Sequence, residues 1–335
     1  MNGLTPRREK GKEENMFCKL ERVITLALVV GFSLFFLCPT GEAATYPTKP
    51  VTIIVTADAG GGEDTGMRGF APFLQKHLGV SVLIENMGGA GGKIAFEKFM
   101  KTKPDGYTLI FHTFPKSVII EMTDKVSFVT REYTPVYVIS SSYNGLMVHA
   151  DTWKTFDEFL KAAKAKTLRA GLSGRRSVSH LAGVLGVKEM GIEVNWVPFD
   201  GAAGSIASLA GKHIDFTCGH ITSAISLINA GKVRPLLLFG DTRDPFFPDV
   251  PIPKDLGYKM PSIPAIRGLE APPKTPPEIV KVLEEACSKA LKEPDYVKWA
   301  KNRSTSIDPM NSQDYGKAIA EVYPLVERLH TYLKE

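Results

Sequence analysis

At 335 residues, with 41 Lys and Arg against 36 Asp and Glu, the chain carries a formal charge of only +5, dispersed along its length. No basic cluster with interleaved aromatics occurs, which excludes a nucleic-acid-binding protein. Residues 23–37 (VITLALVVGFSLFFL) are uncharged and apolar, with Lys19 and Arg22 before them and Gly41, Glu42, Ala43 and Ala44 after. That is the pattern of a cleavable secretory signal over 1–44, and the run is short of the about 20 residues a bilayer span needs. Met16, close to the basic residues, is an alternative start. Cys38 follows Leu37 rather than the small residue that lipid attachment requires, so cleavage is expected after Ala43 or Ala44. Cys18 and Cys38 leave with the signal. Cys218 and Cys287 are too few and too far apart for a disulfide framework, and free thiols are expected. The remaining about 290 residues suit two domains.

Short β-branched runs then alternate with amphipathic stretches, the signature of α/β architecture. A strand over 51–56 ends in Asp58-Ala59-Gly60-Gly61-Gly62 and leads into a helix over 64–77 with Met67, Phe70, Phe73 and Leu74 on one face. A strand over 80–85, the glycine loop 86–92 and a helix over 94–100 follow. Asp105-Gly106 is a turn before a strand over 107–112. Further strands are expected over 136–140, 145–149, 168–172, 193–198, 213–218 and 234–239. Helices are expected over 155–165, 179–190, 204–210 and 223–230. The proline-rich segment 242–264 reads as loop, 265–269 as strand, and 276–292 and 314–332 as amphipathic helices.

Several motifs invite chemistry. Gly60, Gly61 and Gly62 lie between a strand and a helix, where backbone N–H groups could cradle an anion; a tight turn with Asp64 as a plain N-cap fits equally well. The second glycine loop lacks G-x-G-x-x-G spacing, and Ile94 stands where a Walker A loop needs Ser or Thr, so no nucleotide or other cofactor is expected. Ser177 and His180 are three apart at a helix start. They raise a nucleophile–base pair, and with it a secreted hydrolase. No G-x-S-x-G surrounds the serine and no acidic orienter is near, so capping or ligand binding is the preferred reading. The seven histidines show no H-x-x-x-H or H-E-x-x-H spacing, so no metal site is expected. Arg175 and Arg176 read either as solvated loop charges or as an anion clamp.

The order of these motifs resembles one family. Tyr46-Pro47-Thr48-Lys49-Pro50, Ala59-Gly60-Gly61-Gly62-Glu63-Asp64, Glu85-Asn86 through Gly89-Ala90-Gly91-Gly92, and Asp105-Gly106-Tyr107-Thr108-Leu109 come first. Ser177-Val178-Ser179-His180-Leu181, Val197-Pro198-Phe199-Asp200-Gly201, Ala230-Gly231-Lys232-Val233-Arg234, and Ala271-Pro272 through Pro276-Pro277 follow in sequence. From Tyr46 to the C-terminal helices the chain resembles the substrate-binding proteins of tripartite tricarboxylate transporters, the Bug or TctC-type family.

The resemblance implies an α/β, two-domain periplasmic-binding-protein fold of type II, with the ligand cleft between domain 1 (45–145 plus 265–335) and domain 2 (146–264). It implies a non-enzymatic, monomeric receptor for a small carboxylate-containing molecule, working with two integral-membrane transporter subunits. A sensory receptor presenting ligand to a membrane kinase would share the fold. Carried over by position, the ligand-binding residues are Asp58, Ala59, Gly60, Gly61, His112 and Thr113. In the second domain they are Ser173, Arg176, Ser177, His180, Phe199, Asp200, Gly201, Cys218, Gly219 and His220. The sequence departs from the family pattern at Asp58, at Arg175 and Arg176, and at Asp200, where a lysine is usual. Those departures put a standard aliphatic dicarboxylate in doubt.

Overall fold

The computed structural model describes residues 46–174, 177–199 and 201–333. The expected signal over 1–44, with Met16, Cys18 and Cys38, lies outside the described residues. Residues from Tyr46 onward form one compact unit built on two five-stranded sheets.

The first sheet has β1 (Val51–Val55), β2 (Val82–Asn86), β3 (Thr108–Phe114), β4 (Thr134–Ser142) and β10 (Ala265–Ala271), in the order β2-β1-β3-β10-β4. The second has β5 (Asn144–His149), β6 (Leu168–Ser173), β7 (Val194–Phe199), β8 (Phe216–His220) and β9 (Val233–Leu238), in the order β7-β6-β8-β5-β9. The sheets share one plan. Three parallel strands are followed by an antiparallel fourth, β10 in one and β5 in the other. Only Tyr143 separates β4 from β5, so the chain passes from one sheet to the other in nearly continuous strand. Pro198 and Pro235 sit in β7 and β9, the edge strands, where a missing N–H leaves no gap in a central ladder.

Helices cover the sheets because their apolar stripes have nowhere else to go. Met67, Phe70 and Leu74 of α1 (Gly62–Leu78) pack on Ile53, Val55, Leu109 and Phe111. Leu283, Ala286 and Cys287 of α8 (Pro277–Leu291) and Tyr296 of α9 (Pro294–Asn302) complete that core. On the opposite face lie α2 (Lys93–Phe99), α3 (Lys116–Thr123) and α10 (Ser312–Leu329). The second sheet is flanked by α4 (Phe156–Ala165) and α5 (Val178–Met190) on one side, and by α6 (Ala202–Ala210) with α7 (Ile225–Asn229) on the other. Each fully buried aromatic such as Phe70 contributes about 1.5–3 kcal/mol over exposure. Thr155, Ser177 and Asn311 cap α4, α5 and α10, each side chain accepting a first-turn backbone N–H.

Two helices escape the sequence pattern. α3 follows Pro115 directly and contains Val118, Ile119 and Ile120, a β-branched run with little helical periodicity. α9 begins at Pro294, immediately after the longer α8, and Pro at a first helical position is favourable. Asp64 is not the N-cap of α1. Gly61 takes that position, and the Asp64 carboxylate reaches back from the first turn to accept the Gly60 N–H at 2.8 Å. Cys218 and Cys287 form no disulfide and are buried in separate cores.

Candidate functional site

All six parallel strands end toward one cavity of about 1580 Å³. Its walls are the segments 56–63 after β1, 88–93 after β2, and Thr113 with Lys116 at the end of β3. Gly174 and Ser177 after β6, Pro198, Phe199 and Gly201 to Gly204 around the end of β7, and His220, Thr222, Ser223, Ile225 and Ser226 at the end of β8 complete them. Open α/β sheets place ligands beyond the carboxyl ends of their strands, because the connecting loops and helix N-termini converge there.

The glycines of this cavity answer specific close approaches. Gly92 has φ +102°, and an added Cβ would stand 3.1 Å from the Thr56 Cβ. At Gly88 a Cβ would overlap the Asp58 carboxylate, which is how Asp58 comes to lie along the rim, exposed. No side chain caps α1 at Gly61, so its first-turn amides face the cavity without side-chain partners.

Beneath the loop lies a buried charge cluster. Lys116 Nζ is 2.7 Å from Glu63 Oε1 and donates to the Thr56 hydroxyl at 2.8 Å and carbonyl at 3.2 Å. The Thr113 N–H donates to Glu63 Oε1 and the Thr56 hydroxyl to Oε2. Burial alone would raise the Glu63 carboxyl. The Lys116 charge and hydrogen bond, with smaller help from His112 and Thr113, outweigh it and hold the group at about 2. Glu63 and Lys116 therefore neutralise each other inside the fold.

Arg267, on β10 opposite Thr113, is 7 % exposed and lines the same cavity. Burial lowers its proton affinity, and the nearby Glu63 charge partly restores it. His220 also lines the cavity, its Nδ1 3.1 Å from the Ser142 hydroxyl. Burial first, and then the Arg267 charge, push its imidazole down to about 3, so at neutral pH it is an uncharged ring.

Of the residues expected to bind ligand, the cavity brings together Asp58, Ala59, Gly60, Gly61, Thr113, Ser177, Phe199, Gly201 and His220. His112 is fully buried on the other face of β3. Strand alternation sends it with Phe114 away from the cavity, against Phe96 and to 3.4 Å from Glu270. Cys218 faces α5, beside Gly183, and Gly219 is paired with Gly145; neither lines the cavity. His180 is buried against Trp196, and its backbone N–H is the donor to the Ser177 hydroxyl, which serves as the α5 cap. Arg175, Arg176 and Asp200 lie outside the described residues, and Ser173 is described only as the last residue of β6. The sequence reading missed Glu63, Lys116, Arg267 and the Ser223 and Trp299 walls. The available signal was an arginine inside the otherwise apolar start of β10.

A model of the tripartite tricarboxylate transporter family receptor matches residues 67–330. An Agrobacterium vitis protein, described only by its place in an intergenic region, is 34% identical over 253 residues, 74% of this chain and 73% of the relative. Among solved structures, MatC from Rhodopseudomonas palustris with bound malate is 27% identical with a TM-score of 0.74, covering 86% of this chain and 100% of the other. A further R. palustris protein, solved with adipate, is 25% identical with a TM-score of 0.79 over 86% of this chain and 98% of the other.

Proposed function

We propose that this chain, which belongs to the tripartite tricarboxylate transporter receptor family, captures a small carboxylate-containing solute outside the cytoplasm for uptake by two integral-membrane subunits. The observation that carries this reading is the cavity itself: it sits at the carboxyl ends of six strands and is rimmed by a glycine loop whose helix has no side-chain cap. Such amides hold an anion reversibly, without an opposing charge that must be stripped on release. Malate and adipate in two neighbours support a carboxylate ligand.

The cavity exceeds the roughly 300–1,000 Å³ usual for small-ligand sites, so a solute of that size touches all walls only when they close. We assign the lobes as 45–145 plus 265–335 and 146–264. Both chain passages between the sheets, at Tyr143 and before Ala265, then act as hinges. Export by a signal over 1–44 accords with that placement. The Ser177 hydroxyl is occupied as a helix cap, which favours binding over nucleophilic attack.

Native mass spectrometry of protein purified without added ligand tests the reading. A retained small molecule that fragments as a carboxylic acid is expected. A retained molecule without an acidic group, or turnover of acyl substrates lost in Ser177→Ala, contradicts it.

A further inference from the structure

Arg267 is a charged feature of the cavity that the amide-based reading does not use. It is more than nine-tenths buried, and its Nε is buried with no hydrogen-bond partner. Among the described residues no carboxylate pairs with it, because Glu63 is committed to Lys116, Thr56 and Thr113. A lone buried guanidinium costs stability unless something neutralises it, and natural chains seldom keep one without a use.

The local architecture is built around this side chain. A register shift in the β10–β4 pairing falls between Arg267 and Gly268, and bulges of this kind re-aim a side chain. Gly62 and Gly66, one turn apart, leave a bare strip on α1. A Cβ at Gly62 would stand 3.2 Å from Arg267 Nη2, and one at Gly66 3.9 Å from Nη1. The guanidinium thus lies along the first turn of α1, with the Ser223 hydroxyl also 3.2 Å from the Gly62 Cβ position. Cation, hydroxyl and uncapped helix end meet at one place on the cavity wall.

We infer that Arg267 is the ionic anchor of the site: its guanidinium pairs directly with a carboxylate of the solute, making recognition depend on the solute's negative charge rather than on neutral donors alone. This rests on the solute-receptor reading and adds to it the residue that sets specificity. Ligand-free protein holds the charge unpaired; bound protein has it neutralised by a charge-assisted, bidentate pair. Arg267 therefore favours binding at the expense of the empty fold.

The test uses the purified protein and its Arg267→Met and Arg267→Lys variants. Each is titrated calorimetrically with linear mono- and dicarboxylates of two to eight carbons and with benzoate, and with the primary amide of the tightest binder. Wild type is expected to bind a carboxylate. Arg267→Met should weaken it about 100-fold, with Arg267→Lys falling between because an ammonium cannot make the bidentate pair. The amide should bind wild type and Arg267→Met alike. The ligand-free melting temperature of Arg267→Met should equal or exceed that of wild type, a result that a merely structural arginine would not give. Carboxylate binding by Arg267→Met within about threefold of wild type overturns the anchor and leaves the receptor reading standing. So does an Arg267→Met protein that melts well below wild type, whereas a wild type that prefers neutral or cationic ligands overturns the carboxylate reading together with the anchor. A wild type that binds no ligand at all overturns both.

Discussion

Replacing Glu63 by Gln removes the only carboxylate paired with Lys116 among the described residues, while keeping the side chain's shape. Two routes give the size of the effect. Each tenfold change in proton affinity is worth about 1.4 kcal/mol, so the fall from an ordinary 4.5 to about 2 contributes about 3 kcal/mol to folding. Breaking a buried ion pair from one side costs about 3–5 kcal/mol, because the other charge stays buried without a counter-ion. The routes agree near 3 kcal/mol, or about 5 °C in melting temperature for a chain of this size. The sign with pH follows from a carboxyl whose proton affinity is lower folded than unfolded. Its contribution is complete above about 4.5 and vanishes as pH falls through that value toward about 2. Urea unfolding of wild type and Glu63→Gln from pH 7 to pH 3 should therefore show a gap that narrows on acidification. Adding Lys116→Met to Glu63→Gln should recover part of the loss, since the stranded charge is then gone. A gap below about 1 kcal/mol at pH 7, or one that is constant with pH, would refute the reasoning.

Other consequences are more local. A Cβ at Gly69 overlaps the Trp299 ring, so Gly69→Ala should cost about 1–3 kcal/mol by overpacking and shift the tryptophan emission; unchanged stability and emission would count against the packing. Tyr315→Phe removes the hydroxyl that donates to buried Glu270 Oε1 at 2.8 Å, for a loss of about 1–3 kcal/mol in chemical denaturation. An unchanged midpoint would show that Glu270 has another donor. Burial pushes the Cys218 and Cys287 thiols up, so neither should react with a thiol reagent in folded protein at pH 8, and both should react in denaturant without prior reduction. Rapid labelling of the native protein would contradict their burial.

The loops at 58–62, at Ser177 and at Phe199–Gly201 were legible because their signals are local: glycines after a β-branched run, a hydroxyl before an apolar helix, an aromatic closing a strand. Arg267 was not, because its role depends on sheet order. β10 comes from far along the chain, and only its insertion between β3 and β4 sets Arg267 opposite Thr113 and over Gly62 and Gly66. Lys116 was hidden inside an unrecognised helix. Glu63 read as part of a glycine motif rather than as a counter-ion. His112 was misplaced by a single step of strand alternation, since its neighbour Thr113 does line the cavity.

The central claim is capture of a carboxylate by the cavity. Thermal denaturation of the purified protein against carboxylates, amino acids, sugars and amines at pH 7 tests it most directly. A carboxylate at a hundred times its dissociation constant should add about 2.7 kcal/mol, raising the melting temperature by about 4 °C in a concentration-dependent way. Stabilisation by neutral or cationic compounds alone, with every carboxylate silent, would contradict the account.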